Sequence, residues 1–301
     1  MPLGAKLRYA IDLFRDHRGR ARDPESFAWL FADLDEYDEL LTKHAGRSLA
    51  QAKVFEIGYG ARPYRLLALQ SITDASGVDA EAPIIDGRAK EWLEVLRRNG
   101  VERLAKSLVR HTLFDRDERT LLRQELARRG TELRWEKDRF LVADAASLRL
   151  EPGSLDLVTS EDVFEHIPRA SLERICAGMA GWLKPTGLAL IRPNVYTGIT
   201  GGHHLDWNRR SFTVPGVSRE TPPWAHLRGL AAAANTYLNH LSLADYRALF
   251  ATHFEILEER VVDPSLGREY LTPDVAQDLT DWSEEELFSN QVLFVLRPLP
   301  T

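Results

Sequence analysis

The sequence predicts an α/β protein with a doubly wound, mostly parallel sheet that has an antiparallel edge. Three observations predict this fold class. Short apolar runs alternate with amphipathic segments, a glycine-rich turn follows the first apolar run, and the last two runs both read as strands. Alternating strands and helices are typical of parallel sheets joined by helical crossovers, and a terminal strand pair is typical of an antiparallel edge.

Composition limits the class of protein further. The chain has 301 residues, of which 44% are hydrophobic and 28% charged, as in ordinary globular proteins. Its net charge of −6 argues against a long nucleic-acid footprint, because phosphate contacts require many Lys and Arg side chains. The single cysteine, Cys176, excludes an intramolecular disulfide and a multi-cysteine metal site. No apolar run approaches the ~20 residues of a membrane span and no signal peptide is evident, so we expect a cytoplasmic protein.

Two helical additions accompany the sheet. Residues 1–50 read as a helical N-terminal extension, in which Phe27, Leu30, Phe31, Leu34 and Leu41 recur at three- and four-residue steps. Residues 51–301 form the α/β domain, and residues 84–138 are a helical insert that is longer than a minimal crossover. A buried stripe is predicted for this insert at Trp92, Leu93, Leu96, Val101, Leu104 and Leu108.

The remaining segments alternate between strands and helices. Strands are predicted at 52–58, 72–79, 140–144, 155–160, 188–192, 254–262 and 292–296. Helices are predicted at 64–70, 169–183 and 243–250, and the 30-residue connection before the last strand is expected to carry a helix.

The strongest local signal is the turn after the first strand, Val54-Phe-Glu-Ile-Gly-Tyr-Gly-Ala-Arg. Glycine at positions 58 and 60 permits positive φ and a close approach of the backbone to a ligand. A dinucleotide site would require a third small residue where Pro63 stands. Glu56 precedes the turn and can face a cationic amine, so the pattern favours a zwitterionic amino-acid tail over a pyrophosphate.

These residues resemble the class I S-adenosylmethionine-dependent methyltransferases, from about residue 50 to 195 and more loosely to 297. The resemblance implies a Rossmann-like sheet of seven strands with S-adenosyl-L-methionine as cofactor. It implies that Glu56, Gly58 and Gly60 cradle the methionine moiety, although Arg62 replaces the third glycine of the motif. It also implies that Asp79, at the end of the second strand, holds the ribose hydroxyls.

Later segments match the same family in the same order. Asp144, followed by Ala145, corresponds to the acid that reaches the adenine amine. The block Leu155-Asp-Leu-Val-Thr-Ser-Glu-Asp-Val-Phe-Glu-His-Ile-Pro is similar to the fourth-strand motif, which would bring Ser160 and Glu161 near the transferable methyl group. For Asp79 and Asp144, turn capping is the competing interpretation.

Acidic and histidine residues suggest the chemistry. The spacing Asp162-Val-Phe-Glu165-His166, with His203 further along, resembles the small-RNA 2′-O-methyltransferases, in which such residues hold a magnesium ion. That resemblance implies Asp162, Glu165, His166 and His203 as metal ligands, with Asp162 in place of the usual Glu. A metal-free enzyme would instead use His166 or His203 as general base, with Glu165 beside them.

The sequence therefore predicts a methyltransferase that methylates a hydroxyl of a sugar, glycan or small natural product. The alternatives are an RNA terminal 2′-O-methyltransferase, a non-catalytic binding protein and a nicotinamide oxidoreductase. A loop after the fifth strand can contact substrate or pack on the body, through Trp207, Arg209, Arg210, Trp224, His226 and Arg228.

Overall fold

A computed structural model describes residues 27–213, 219–230 and 236–300. The predicted N-terminal extension is therefore described from Phe27 onward, and its first 26 residues lie outside the described part. The described α-helices are α1 Ala28–Ala45, α2 Tyr64–Ile72, α3 Ala89–Arg110, α4 Arg116–Arg128, α5 Arg169–Trp182, α6 Leu243–Ala251, α7 Pro273–Gln277 and α8 Glu284–Leu287. The described strands are β1 Lys53–Ile57, β2 Asp74–Asp79, β3 Phe140–Val142, β4 Leu155–Glu161, β5 Leu183–Arg192, β6 Phe254–Val261 and β7 Val292–Pro298.

The described residues divide into two compact units, one ending at Asp144 and one beginning at Ala145. In the first unit, β2 pairs in parallel with both β1 and β3. In the second, β4 and β5 are parallel, and β7 runs antiparallel to both β5 and β6. The strand order β3-β2-β1-β4-β5-β7-β6 confirms the predicted fold class, a Rossmann-like sheet of seven strands in the described chain with an antiparallel edge.

The sequence explains why the parallel strands form where they do. All seven residues of β4 are buried, as expected for a strand that is covered on both faces. Gly77 in β2 allows a close approach to β1, since a Cβ at this position would lie 2.8 Å from the carbonyl oxygen of Glu56. Cys176 is fully buried in α5, which agrees with its interpretation as a packing residue.

Helix α1 forms as predicted and is held by its apolar face. Its buried residues are Leu30, Phe31, Leu34, Tyr37, Leu40 and Leu41. Burial of each such side chain contributes about 1.5–3 kcal/mol relative to exposure, so this face fixes the helix to its unit. The helix ends at Gly46, whose φ of 63° is the left-handed conformation that commonly terminates helices.

The predicted buried stripe of the insert is largely wrong. Val101 is 72% exposed and Leu108 is 50% exposed, whereas Val95 is 1% exposed. Leu93 and Leu96 are also exposed, while Trp92 and Leu104 are partly buried. Part of the cause is Gly100, which leaves the helical conformation (φ 79°, ψ 178°) and kinks α3, although Leu93 and Leu96 are exposed already before this kink. A single helical period therefore does not continue across the whole segment.

None of the described helices combines the length and the apolarity that a membrane span requires.

Candidate active site

The glycine turn has the backbone that its sequence requires. Gly58 and Gly60 adopt φ values of 84° and 68°, which L side chains rarely tolerate. The N–H of Gly58 donates to the carbonyl oxygen of Val78 at 2.7 Å, which continues the pairing of β1 and β2 past the end of the strand. A Cβ built at Gly60 would meet nothing within 4 Å, so the turn faces open space.

Glu56 is a buried carboxylate with one unpartnered oxygen. Its residue is 2% exposed, and burial, reinforced by the nearby charge of Asp79, raises its pKa to about 7 despite the opposing effect of Arg65. Its Oε1 lies 3.7 Å from Nη1 of Arg65, whereas its Oε2 has no hydrogen-bond partner. An unsatisfied buried carboxylate oxygen is costly, so this residue fits a cationic ligand group such as an amine.

Asp79 stands at the end of β2, as predicted, and supports the turn. Its Oδ2 accepts from the N–H of Gly60 at 2.8 Å, and its Oδ1 accepts from the N–H of Glu81 at 2.7 Å. Burial raises the pKa of Asp79, although the bond from Gly60 lowers it. Since each carboxylate oxygen accepts two hydrogen bonds, turn capping and a further contact to ribose hydroxyls are compatible. Asp144 follows β3 and is exposed.

Arg62, which replaces the third glycine of the motif, binds acidic residues of the helical insert. Its Nη1 lies 3.2 Å from Oε1 of Glu118 in α4, and its Nε lies 3.7 Å from Oδ1 of Asp115. Tyr64 donates its hydroxyl to Oε2 of the same glutamate at 2.6 Å. Both acids are buried, so the insert holds the turn through paired charges. The sequence gives no sign of this role beyond the missing glycine.

In the second unit, the end of β4 carries Ser160 and Glu161, both buried. Glu161 and Arg192 occupy matched positions on β4 and β5, and their side chains lie 3.2 Å apart. The carboxylate is therefore already paired with a guanidinium, which holds it at the end of the strand.

Three of the four predicted metal-ligating residues come together in this unit. Oε1 of Glu165 lies 3.9 Å from Nε2 of His166 and 3.9 Å from Nε2 of His203. The two imidazole rings lie 4.9 Å apart and nearly perpendicular. One potential ligand atom from each residue lies within 4.8 Å of the other two. His203 has a φ of 51°, an uncommon conformation for a residue with a side chain, which is often found at functional sites.

The hydrogen bonds and charges suit a neutral imidazole at His203 beside a buried acid. Nδ1 of His166 lies 3.0 Å from the carbonyl oxygen of Tyr237, an acceptor, so Nδ1 carries the proton and Nε2 presents a lone pair. Burial, with His166 and His204 nearby, lowers the pKa of His203 to about 4. Burial and then Asp162 raise the pKa of Glu165 to about 8. Oε2 of Glu165 is buried without a partner.

Asp162, the fourth predicted ligand, accepts hydrogen bonds from two side-chain amides. Nδ2 of Asn194 donates to Oδ1 of Asp162 at 2.8 Å and to Oε1 of Glu165 at 2.9 Å. Nε2 of Gln291 also donates to Oδ1 of Asp162. Asp162 adopts a φ of 55°. Sequence reasoning assigned no role to either amide, because Gln291 lies 129 residues from the acid that it contacts.

The loop after β5 packs its tryptophans into its own unit and does not expose them to solvent. Trp207 is 2% exposed and Trp224 is 0% exposed, in a cluster with Ile199 and Phe288. Arg228 pairs with Asp278 at 2.6 Å. These contacts favour the packing interpretation for the two tryptophans.

Residues 89–191 match the family model described as a methyltransferase domain. The matched range runs from α3 to β5, so it contains the end of β4 and the Glu165–His166 segment, and the sheet has the strand order given above. Residues 89–191 therefore carry a methyltransferase domain, and the strand order of the sheet fits the class I fold. It is an enzyme of the methyltransferase type that uses S-adenosylmethionine, which sets aside the oxidoreductase and the non-catalytic binding protein.

Solved structures resemble this one at low sequence identity. An S-adenosylmethionine-dependent methyltransferase from Mesorhizobium loti is 14% identical, with 92% of this chain and 99% of that chain covered and a TM-score of 0.44. The PH0226 protein from Pyrococcus horikoshii OT3 is 14% identical, with 89% of this chain and 90% of that chain covered and a TM-score of 0.44. No curated protein matches this chain.

Proposed function

We propose that this methyltransferase transfers the methyl group of S-adenosylmethionine to a hydroxyl oxygen of a sugar, glycan or small natural product. The supporting observation is the acid–histidine cluster, defined as Glu165, His166 and His203, in which two imidazoles adjoin one buried carboxylate. Such a group suits a reaction that must remove a hydroxyl proton. A cytoplasmic location, and the absence of a nucleic-acid partner, remain predictions from the sequence.

The cofactor residues of the proposal are those predicted from the motif. Glu56 faces the methionine ammonium, and the backbone at Gly58 and Gly60 lets the amino-acid tail approach. Asp79 holds the ribose hydroxyls. Contacts to adenine and to the methyl-bearing end come from Asp144, Ala145, Ser160 and Glu161.

The reaction requires little covalent chemistry from the protein. The acceptor oxygen forms a bond to the methyl carbon as the bond from that carbon to sulfur breaks, which yields a methyl ether and S-adenosylhomocysteine. Sulfonium charge is lost in this step, so the protein contributes mainly alignment and a base. Nε2 of His166 is the base in this proposal, since its Nδ1–H is held by the carbonyl of Tyr237. Glu165 then stabilises the imidazolium, and His203 stays neutral beside it.

A divalent ion such as Mg²⁺ bound by the cluster is the alternative to a free His166 base, because Nε2 of His166 cannot take up a proton while it ligates a metal. Glu165, His166 and His203 would hold it, with Asp162 nearby. The unpartnered Oε2 of Glu165 fits an ion, and so does the backbone acceptor on the far side of His166, because metal-ligating imidazoles commonly donate their other N–H to a carbonyl. A bound ion would lower the pKa of a coordinated hydroxyl.

The same cluster favours the alternative acceptor, the terminal 2′-hydroxyl of a short RNA, since a metal can grip a vicinal diol. The net charge of −6 argues against a long RNA footprint but is compatible with one terminal nucleotide.

Transfer of labelled methyl groups tests the proposal. The protein is incubated with methyl-labelled S-adenosylmethionine and a panel of sugars, glycans, hydroxylated small molecules and short RNAs, with Mg²⁺ or with a chelator. Label in a methyl ether of a non-RNA acceptor supports the main proposal, and label only in RNA supports the alternative. Label confined to nitrogen or carbon overturns hydroxyl methylation. Unchanged transfer in chelator overturns the metal, provided that a Mg²⁺-dependent enzyme in the same assay is inhibited.

A further inference from the structure

Arg65 of α2 connects helix α1 to Glu56. Its Nη2 lies 2.7 Å from Oδ2 of Asp33, and its guanidinium carbon lies 5.4 Å from the centre of the Trp29 ring. Trp29 and Asp33 are four residues apart on α1, so they project from the same face of the helix. The side chains of Arg65 and Asp33 are 14% and 16% exposed. One turn of α1 therefore clamps this guanidinium with a carboxylate and an aromatic ring.

The other terminal nitrogen of the clamped guanidinium lies near Glu56. Nη1 of Arg65 lies 3.7 Å from Oε1, whereas Oε2 has no hydrogen-bond partner and is buried. Glu56 lines a cavity of about 230 Å³, which α1 bounds through Phe27 and Trp29 and the glycine turn bounds through Tyr59. The clamp thus leaves one oxygen of Glu56 without a hydrogen-bond partner, on a residue that lines a space large enough for part of a ligand.

We propose that Arg65 is a positioning residue, which helix α1 holds against one oxygen of Glu56 so that the other oxygen stays available to the cationic group of the cofactor. This inference rests on the proposed cofactor role of Glu56. It adds that helix α1 sets the position of Arg65 and so the availability of Glu56. Trp29 and Asp33 act through Arg65 and are themselves not expected to touch the cofactor.

The physical reason lies in the geometry of guanidinium–carboxylate pairs. An unrestrained guanidinium prefers a bidentate pair, with two parallel hydrogen bonds to both carboxylate oxygens. Asp33 competes for Arg65 and prevents that arrangement. Without Asp33, Arg65 would occupy both oxygens of Glu56, lower its pKa and exclude a second cation. The charged and titratable groups that face Glu56 or its cavity are Arg65, Asp79, Tyr59, Arg62, Tyr64 and Glu118.

Calorimetric titration with S-adenosylhomocysteine, which carries the same ammonium group, tests the clamp. Asp33→Asn is expected to weaken binding about tenfold, as for loss of one charge-assisted contact to the ligand. Asp35→Asn is the matched control, because Asp35 lies on the same helix but pairs with Arg129 at 2.7 Å, and its affinity should equal that of the parent. Equal affinity of Asp33→Asn and the parent would overturn the proposal.

The pH dependence separates positioning from a structural role. The affinity of the parent should rise as Glu56 ionises near its pKa of about 7. Loss of a nearby positive charge raises a carboxyl pKa, so Arg65→Gln should move that midpoint upward by about one unit. Asp33→Asn should move it downward, and Arg65→Lys, which keeps the charge, should leave it near that of the parent. Weakened binding with no shift of midpoint would indicate a merely structural helix and contradict the proposal.

A second measurement uses the ligand-free protein, so that a failure of the Arg65 proposal can be distinguished from a failure of the proposed function. The difference between parent and Arg65→Gln in the pH dependence of denaturant unfolding, measured across pH 5–9, reports how Arg65 changes the pKa of Glu56. If the parent does not bind S-adenosylhomocysteine, the proposed function is overturned. If the parent binds but the unfolding profile of Arg65→Gln equals that of the parent, the coupling of Arg65 to Glu56 alone is overturned. Circular dichroism confirms that each variant is folded.

Discussion

The glycine-turn region, defined as Glu56 to Asp79, differs from the acid–histidine cluster in how its polar groups are held in place. In the first, Asp79 accepts two backbone N–H groups, so backbone and side chains hold one another in place. In the second, burial lowers the pKa of His203, and the side-chain amide of Asn194 donates a hydrogen bond to Glu165. The difference suggests that the turn recognises a ligand of fixed shape, whereas the cluster retains groups that can exchange a proton or bind an ion.

The largest expected effect is on turnover, and its absence would contradict the difference drawn between the two regions. Glu165→Gln keeps the shape of the cluster but cannot ionise, so above the Glu165 pKa of about 8 methyl transfer to the acceptor should fall by about 10²–10³, the scale of lost acid–base assistance. Affinity for S-adenosylhomocysteine should stay within about twofold, below the tenfold that 1.36 kcal/mol represents. Initial rates and calorimetry measure the two quantities.

His253→Ala serves as control for that variant, since His253 follows α6 and is not part of the cluster. Its rate and affinity should both match the parent. A parallel loss of cofactor affinity and rate in Glu165→Gln would mean that the cluster binds cofactor, which would contradict the division between the two regions.

The second effect is on stability and concerns Glu56. Its folded pKa of about 7 lies above the ordinary value of 4.5, so the unfolded chain releases this proton first. The free energy of unfolding should therefore fall as pH rises from 4.5 to 7, by on the order of 3 kcal/mol from this residue. Glu56→Gln cannot ionise and should lose that part of the slope. Denaturant midpoints from pH 4 to pH 8 measure it, and an unchanged slope in the variant would contradict the assignment.

The third effect is on cofactor affinity and sharpens the role of the turn. Asp79→Ala removes the acceptor for the Gly60 N–H and the proposed ribose contact, so binding of S-adenosylhomocysteine should weaken by about 2 kcal/mol, roughly thirtyfold. Asp74→Ala is the control at the opposite end of β2, where the side chain is 49% exposed and pairs with Arg139. Equal affinities of the two variants would mean that Asp79 only caps a turn.

Local sequence patterns predicted the sheet and the turn because both depend on neighbouring residues. The apolar runs gave strands β1 to β7 within a few residues, and the glycines at 58 and 60 marked the left-handed turn. The helical period of the insert does not continue through Gly100, because a single glycine can terminate or kink a helix and the sequence pattern does not distinguish the two.

The contacts that complete the sites depend on distant residues and were not predicted. Arg65 meets Asp33 across 32 positions, and Gln291 meets Asp162 across 129. No periodicity relates such pairs, since they are brought together by the packing of whole elements. Arg62 illustrates the same limit, because its departure from the motif was evident but its partner in α4 was not.

The smallest expected effect separates backbone strain from ligand contact. Gly60 and Gly130 have φ values of 68° and 76°, and a Cβ at either would meet nothing within 4 Å. Replacing either by alanine should therefore cost a similar 1–2 kcal/mol, approximately the penalty for a left-handed residue with a Cβ. Only Gly60→Ala should also weaken S-adenosylhomocysteine binding, because its methyl group enters the space beside the turn, whereas Gly130 follows α4. Equal losses of stability with equal cofactor affinities would show that the open face of Gly60 is not where the cofactor lies.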